Sequence, residues 1–358
     1  MRSIRELNLK DKRILLRADF DVPVSNGKIS DKFRIEKQKE ILEYLIDGGA
    51  KVVIVAHISS ADSFGDLMPQ LHIILGKEIN FIKKIEDIPR YLDNYAGPAL
   101  LDNIRQFKGE IENDRDFAMS LSKGFELYIN NAFAVCHRAH ASVSAIAEFL
   151  PSYPGFLIER EVGELEKVIR ASSDGKVIII GGAKATTKTP VIKNLIDKAD
   201  KILIGGVIAN DILKEKGVDI GNSVVDDNLS EILDGLDFNN PKLVIPEDYN
   251  IHDNMILDIG VKTIENYREI INKAKMIVWN GPMGWFEKPG FEKGTHEIAK
   301  SISNSAAYKI IGGGDTIAAI DNFNLSGKFD FTSTGGGAML SFLAGQELPG
   351  LKALKYYE

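Results

Sequence analysis

Nine short runs rich in Val, Ile and Leu recur along this 358-residue chain, and they restrict its fold more than any other feature. "RILLRADF", "KVVIVAH", "ALLDNI" and "ELYINNAF" lie in the first half. "KVIIIGGAK", "KILIGG", "KLVIP", "KMIVWNGP" and "YKIIGGG" lie in the second. Apolar residues follow one another without alternation, so both faces of each strand must be covered, as in a parallel sheet between helical layers. Segments of helical period separate most of the runs. Over Arg34–Gly48 the side chains of Ile35, Ile41, Leu42, Leu45 and Ile46 form one apolar stripe, which Gly48-Gly49 stops. The chain is too long for a single core. We therefore expect an α/β protein of two Rossmann-like lobes with mainly parallel sheets. The boundary falls near "PSYPGFLIEREVGELEKVIR", where Pro151 and Pro154 punctuate the chain before a helix from Phe156 to about Arg170. This gives lobes of 1–155 and 156–345, with the helix as a hinge lever.

Composition narrows the function classes. With 44% hydrophobic and 27% charged residues the chain reads as soluble and globular. A net charge of -7 argues against a nucleic-acid partner but leaves room for a local basic patch that holds a small anion. One cysteine cannot close an internal disulfide, which fits a reducing cytoplasm. "MRSIRELNLKDKR" lacks the apolar run of a signal peptide, and no stretch approaches the length of a membrane helix.

Ligands of open parallel sheets sit beyond the carboxyl ends of the strands. In the first half those positions hold Asp19, Asp21, His57, Arg105 and the cluster "FAVCHRAHAS", with Cys136, His137, Arg138 and His140. In the second half they are mostly glycines: Gly181-Gly182, Gly205-Gly206, Gly281, Gly312–Gly314 and Gly335–Gly337. One half presents charged side chains and the other bare backbone, which suggests two lobes with two ligands. The chain has neither a G-x-x-x-x-G-K-[ST] loop nor a G-x-G-x-x-G after a strand. "IIGGGDTIAAI" and "TSTGGGAMLSFLAG" instead place three glycines between a strand and a helix. Such turns let amides approach a phosphate, and Asp315 beside one of them offers a hard oxygen to Mg²⁺. Tight strand–helix turns are the plainer reading. Lys184 and Lys188, spaced by four, would share a helical face and reach one phosphate group, or else be two solvated lysines. "VWNGPMGWFE" reads either as a nucleoside loop with Glu287 on ribose hydroxyls or as a tight turn over the core. In "FAVCHRAHAS" a metal site lacks a second pair of ligands, and Arg138 between the histidines would repel a cation. The stretch reads better as a loop that lifts Arg138 to a substrate phosphate, with Cys136 a small buried filler.

Taken in order, "RADFDVP", "NIRQF", "NNAFAVCHRAHAS", "GGAKATTK", "WNGPMGWFE", "GGGDT" and "STGGGA" resemble phosphoglycerate kinase, nearly end to end. The resemblance implies a monomeric phosphotransferase with a carboxyl group as acceptor. It would move a phosphoryl group reversibly between 1,3-bisphosphoglycerate and ADP, giving 3-phosphoglycerate and ATP. It further implies an N-terminal lobe for phosphoglycerate, a C-terminal lobe for ADP or ATP with Mg²⁺, and a return of 346–358 to the N-terminal lobe. Asp19, Arg34, His57, Arg105 and Arg138 match positions around the phosphoglycerate, and Asp21 stands among them. Lys184 and Lys188 match the lysines near the transferred group. Asn280, Pro282 and Glu287 match the nucleotide loop. Gly313 and Gly314 lead to Asp315, which matches the Mg²⁺ carboxylate, and to Thr316, its phosphate-contacting neighbour. Gly335–Gly337, with Gly336 and Gly337 among them, match the helix-start glycines that face the moving phosphate. The adenine slot would involve Gly182, Gly205, Gly206 and Leu257. The implied catalytic set is Arg34, Lys184, Gly336 and Gly337. A carboxylate acceptor is already deprotonated at neutral pH, so no general base is needed, and placement with positive charge does the work. Closure of the two lobes is expected.

Four positions depart from the family pattern. Ser60 stands where an arginine grips the 3-phosphate, and Asp21 where asparagine is usual. Thr187 replaces an aspartate before the second lysine, and Trp285 replaces a small apolar residue next to the nucleotide. The first two lower the positive charge of the acid-substrate site. Another cation such as Lys108 or Lys32 would compensate. Otherwise the substrate is a related phosphorylated carboxylic acid, or the chain is a nucleotide-binding, non-catalytic relative. The intact Arg34, Lys184, Lys188 and Asp315 argue against the last.

Overall fold

The computed structural model describes residues 1–95 and 97–358. The chain forms two compact units, Met1–Gly163 with Glu347–Glu358, and Glu164–Gln346. The first unit contains β1 (Arg13–Arg17), the hairpin β2 (Val24–Ser25) and β3 (Lys28–Ile29), then β4 (Lys51–Val55), β5 (Asn80–Ile82), β6 (Ala99–Leu101), β7 (Leu127–Asn130) and β8 (Ser152–Pro154). Its main sheet has the order β5-β6-β4-β1-β7-β8, all parallel. Ile14 and Leu16 of β1 pack with Val52 and Ile54 on one face, while Leu15 packs with Val53 and Val55 on the other. Both faces are buried, which is why these strands read as unbroken apolar runs.

The second unit contains β9 (Lys176–Ile180), β10 (Lys201–Ile204), β11 (Leu243–Val244), the hairpin β12 (Tyr249–His252) and β13 (Met255–Ile259), then β14 (Met276–Asn280), β15 (Tyr308–Gly312) and β16 (Phe331–Ser333). Its main sheet, β11-β10-β9-β14-β15-β16, is also wholly parallel. In each sheet the strand order reverses once, beside β1 and β7 in the first and beside β9 and β14 in the second. The crevice at such a reversal is where this architecture leaves room for a ligand.

One local difference from the sequence reading has a clear cause. The expected helix over Arg34–Gly48 is two helices, Phe33–Glu36 and Lys39–Asp47. The side chain of Gln38, at the break, donates to the Arg34 carbonyl (3.2 Å) and accepts from Asn131 Nδ2 (2.8 Å). These contacts stand in for the backbone bonds the break gives up. The C-terminal helix Pro349–Ala353 belongs to the first unit, where Gly350 N–H donates to the Cys136 carbonyl (2.9 Å). A Cβ at Gly350 would lie 2.9 Å from Cys136 Sγ. Cys136 is thus a fully buried filler, and burial raises its thiol far above the ordinary range.

Candidate active site

In the first unit the site is built outward from Arg17, the last residue of β1 and completely buried. Its guanidinium donates to the Ala18 carbonyl, to Ser142 Oγ (2.9 Å) and to His57 Nδ1 (3.1 Å). A guanidinium can only donate, so Nδ1 is the accepting nitrogen of His57 and the ring proton sits on Nε2. That proton faces Asp21 Oδ2 at 3.3 Å. Burial lowers the His57 pKa and outweighs the Asp21 hydrogen bond that would raise it, so the ring is neutral at pH 7. Burial would raise the Asp21 carboxyl. The His57 hydrogen bond and the Ser59 amide (2.8 Å) instead hold it well below the carboxylate range. Arg34 Nη1 donates to the Asp21 carbonyl (3.0 Å) and lies 3.9 Å from Oδ2 of the same residue. Arg34 Nε is 3.7 Å from Oδ2 of buried Asp19, an oxygen with no hydrogen-bond partner among the described residues.

The remaining expected cations gather at the same strand ends. Arg105 donates to Ser59 Oγ (2.9 Å), and exposed Arg138 directs Nε at His137 Nε2 (3.4 Å). Burial, then the charges of Arg105, Arg138 and Arg17, push His140 down to about 4. Burial and then Arg138 also lower Arg105 itself. Cations that depress one another's protonation mark a positive potential suited to an anion. Among the described residues no group of three or more His, Cys, Asp or Glu is arranged to hold a metal, and this cluster is a place for negative charge. Ser60 adds nothing to it, since its hydroxyl donates to the Val22 carbonyl (2.6 Å). Lys32 and Lys108, the expected substitutes, pair with Glu36 (3.0 Å) and Glu112 (3.3 Å) on the surface.

Sequence reasoning missed the layer behind these residues. Glu110, fully buried, accepts from the amide and hydroxyl of Ser142 (both 2.7 Å), and the same hydroxyl accepts from Arg17. The available signal was an arginine, Arg17, directly after the apolar run of Ile14, Leu15 and Leu16 in "RILLR".

In the second unit, the loops after β9, β10 and β14 pack backbone on backbone. Gly182 N–H donates to the Pro282 carbonyl (2.6 Å), Gly206 N–H to Met283 (2.8 Å) and Gly205 N–H to Ile180 (2.9 Å). A Cβ at Gly206 (φ +62°) would lie 2.3 Å from Gly182 N, and one at Gly281 (φ +93°) 2.1 Å from the Gly181 carbonyl oxygen. These glycines permit close packing, and their amides are spent within the protein. Gly182 and Gly206 instead help line a cavity of about 250 Å³, with Leu257, Pro282, Trp285, Glu287 and Asp315 also on its walls. Gly205, Asn280 and Thr316 do not line it. Asn280 Nδ2 donates to the Gly312 carbonyl (2.9 Å), and Thr316 Oγ1 accepts from Gly281 N–H (2.7 Å), so both brace the loop. Trp285 N–H donates to the Leu257 carbonyl (2.7 Å), leaving the indole half exposed at the cavity with Lys288 Nζ 5.3 Å from its ring centre.

Beyond the cavity, β15 runs through Gly313 (φ +101°) into the helix Gly314–Asn322, and β16 runs through Gly335 into the helix Gly336–Leu343. A Cβ on Gly336 would approach Gly313 Cα to 3.0 Å, so the two turns abut. The first-turn amides of Gly314, Asp315, Gly336 and Gly337 have no intrahelical acceptor, which makes this a place for phosphate oxygens. The Asp315 side chain is exposed and makes no hydrogen bond or ion pair with the described residues. A single free carboxylate beside a phosphate site suits Mg²⁺, which keeps water and phosphate oxygens as its other ligands.

The two lysines do not share a helical face as expected. Lys184 lies before the helix Ala185–Leu195, in the left-handed region (φ +66°), and is exposed. That conformation costs a non-glycine residue about 1–2 kcal/mol. Lys188 is buried and donates to the Ala183 carbonyl. Burial lowers its pKa to about 8, with the charges of Asp315 and Asp226 opposing.

Comparison with known proteins gives a consistent result. A family model described as phosphoglycerate kinase matches residues 4–346. The phosphoglycerate kinase of Dictyoglomus turgidum is 40% identical over 98% of each chain, and that of Thermosipho africanus 38% over 98% of this chain and 97% of its own. The crystal structure of phosphoglycerate kinase from Pyrococcus horikoshii superposes with a TM-score of 0.87 at 32% identity, covering 99% of this chain and 98% of that one. The structure of the Coxiella burnetii enzyme gives 0.84 at 32% identity, covering 99% of both chains.

Proposed function

The chain belongs to the phosphoglycerate kinase family and is a phosphotransferase of that type, and from this premise we propose how its residues carry the reversible transfer between 1,3-bisphosphoglycerate and ADP. Arg34, Arg105, Arg138 and neutral His57 bind the phosphoglycerate anion, with Asp19 and Asp21 orienting Arg34. The cavity takes the nucleoside of ADP or ATP between Leu257, Pro282 and the Gly182–Gly206 floor, and Glu287 reaches the ribose hydroxyls. Asn280 and Thr316 keep the loop in shape, and Gly205 supports the floor. The amides of Gly313, Gly314, Gly336 and Gly337 receive phosphate oxygens. Asp315 would hold Mg²⁺, which when bound neutralises charge on the nucleotide phosphates. Arg34, Lys184 and the helix-start amides stabilise the equatorial oxygens of the transferred group, while Lys188 supports the Lys184 turn. No proton needs to be removed from a carboxylate acceptor, which accords with a site lacking a general base.

The observation that carries this reading is the division of labour between strand ends. One set presents a cation cluster, and the other an apolar cavity leading to two abutting helix starts. A kinase of another acid and a non-catalytic relative are not favoured, given relatives of full-length coverage that share one name. We further read the chain as a cytoplasmic monomer of glycolysis or its reverse. Its one cysteine is buried, and no described helix is long and apolar enough to cross a membrane. A coupled assay with ATP and 3-phosphoglycerate, repeated with 2-phosphoglycerate and glycerate, tests the assignment. Turnover is expected with 3-phosphoglycerate. Normal nucleotide binding without turnover would overturn it.

A further inference from the structure

Among the described residues Lys184 is the only non-glycine residue with positive φ at the glycine-rich strand ends, and the peptide units on both sides of it are pinned. On one side, Lys188 Nζ donates to the Ala183 carbonyl. On the other, Ala185 N–H donates to Asp226 Oδ2 at 2.5 Å. The Lys184 carbonyl itself accepts from Thr187 Oγ1 at 3.0 Å. Asp226 comes from a loop 41 residues further along the chain, and its own amide donates to Oδ1 of fully buried Asp211 at 2.9 Å. A strained residue persists only where its surroundings over-determine it, and such residues cluster where geometry serves chemistry. The position before Lys188, an aspartate in the family pattern, is here Thr187, which bonds the turn but brings no charge.

We propose that Asp226 is a positioning residue for phosphoryl transfer. Its carboxylate fixes the Ala185 amide and so holds Lys184 in the left-handed turn that presents the ammonium group. This rests on the assignment of Lys184 to the transferred phosphoryl group. Asp226 does not touch substrate; it acts through Lys184, replacing from a distant loop the acid that position 187 lacks.

The test is a double-mutant cycle on the full chain in the ATP and 3-phosphoglycerate assay, with thermal melts on every variant. Asp226→Ala should lower kcat on the order of 10- to 100-fold, the loss expected from misplacing a reacting group by about an ångström. The KM for 3-phosphoglycerate should stay unchanged. Asp226→Asn keeps an oxygen at the Ala185 amide and should retain kcat within roughly 3-fold, whereas a purely electrostatic role would make it as poor as alanine. Lys184→Ala combined with Asp226→Ala should lose no more kcat than Lys184→Ala alone, because the two act as one unit. Additive losses overturn the clamp but leave Lys184 in place, as does an alanine variant of undiminished kcat. A Lys184→Ala variant of full activity overturns both the clamp and the assignment beneath it.

Discussion

Asp21→Asn should tighten phosphoglycerate binding while weakening the fold, and the opposite signs make it a sharp test of the cation cluster. In the structure the Asp21 carboxylate is 3.9 Å from Arg34 Nη1. Two unit charges at that distance attract by about 4 kcal/mol at an effective dielectric of 20. Both side chains are roughly a quarter exposed, at 26% and 28%, so solvent reduces the useful part to about 1–2 kcal/mol. That attraction competes with an incoming carboxylate or phosphate for the same guanidinium. Removing it should lower the KM for 3-phosphoglycerate by about 5- to 30-fold, with the KM for ATP unchanged. The stability term has the other sign. The carboxylate serves two donors, Ser59 N–H and His57 Nε2–H, and an amide offers one oxygen. His57 cannot switch tautomer to accommodate it, because Arg17 donates to Nδ1. One hydrogen bond is lost, at about 1 kcal/mol. The pH dependence follows from the depressed carboxyl. Its stabilisation is present above the unfolded carboxylate pKa of about 4 and is lost as pH falls, so the deficit of the variant should shrink on acidification. The assay is steady-state kinetics at saturating ATP, at low and high salt, beside urea melts. The KM advantage should narrow as the screening length falls from about 10 Å at 0.1 M to about 3 Å at 1 M. An unchanged or raised KM in a variant with the predicted small loss of stability would refute the claim that Asp21 occupies the substrate's cation.

Three further outcomes follow from the same geometry. Ser60→Arg replaces an exposed hydroxyl with a guanidinium and should lower the KM for 3-phosphoglycerate by about 5-fold or more; no change in steady-state kinetics means the existing arginines already suffice. Trp285→Val should raise the KM for ADP by about 5-fold or more through lost stacking on the base, with phosphoglycerate KM unaffected. Nucleotide quenching of wild-type fluorescence should largely vanish with it, since the other tryptophan, Trp279, is wholly buried. Lys188, lowered to about 8 chiefly by burial, should give kcat an alkaline limb near that pH, read from a pH–rate profile. Folding stability should instead rise between about pH 8 and 10.5 as the unfolded chain alone stays protonated there.

What the sequence made legible were the features set by local chemistry. All nine apolar runs are strands, because burial on both sheet faces leaves an uninterrupted signature. Elements missed were those with a weak local signal: β5 is three residues at a sheet edge, and β8 ends on Pro154, a residue tolerated there because an edge strand need not donate on both sides. The expected substrate cations Arg105 and Arg138 were visible because they lie in the loops that leave β6 and β7. Arg17, Glu110 and Ser142 were not, since their meaning lies in contacts more than 30 residues apart along the chain.

The departures at positions 21 and 187 show why such contacts decide function. From the sequence, an aspartate facing an anionic substrate is an unpaired charge that must be protonated or must weaken binding. In the fold it is neither. Asp21 is ionised and satisfied by His57, Ser59 and Arg34, so its cost falls on the cations it occupies, as competition rather than as strain. At position 187 the threonine brings no charge, yet the turn beside it is met by the carboxylate of Asp226, which no local pattern connects to "GGAKATTK". A substitution read against a motif alone reports a lost contact. What the turn keeps depends on which distant side chain the fold delivers to it, and here the amide of Ala185 has the carboxylate of Asp226.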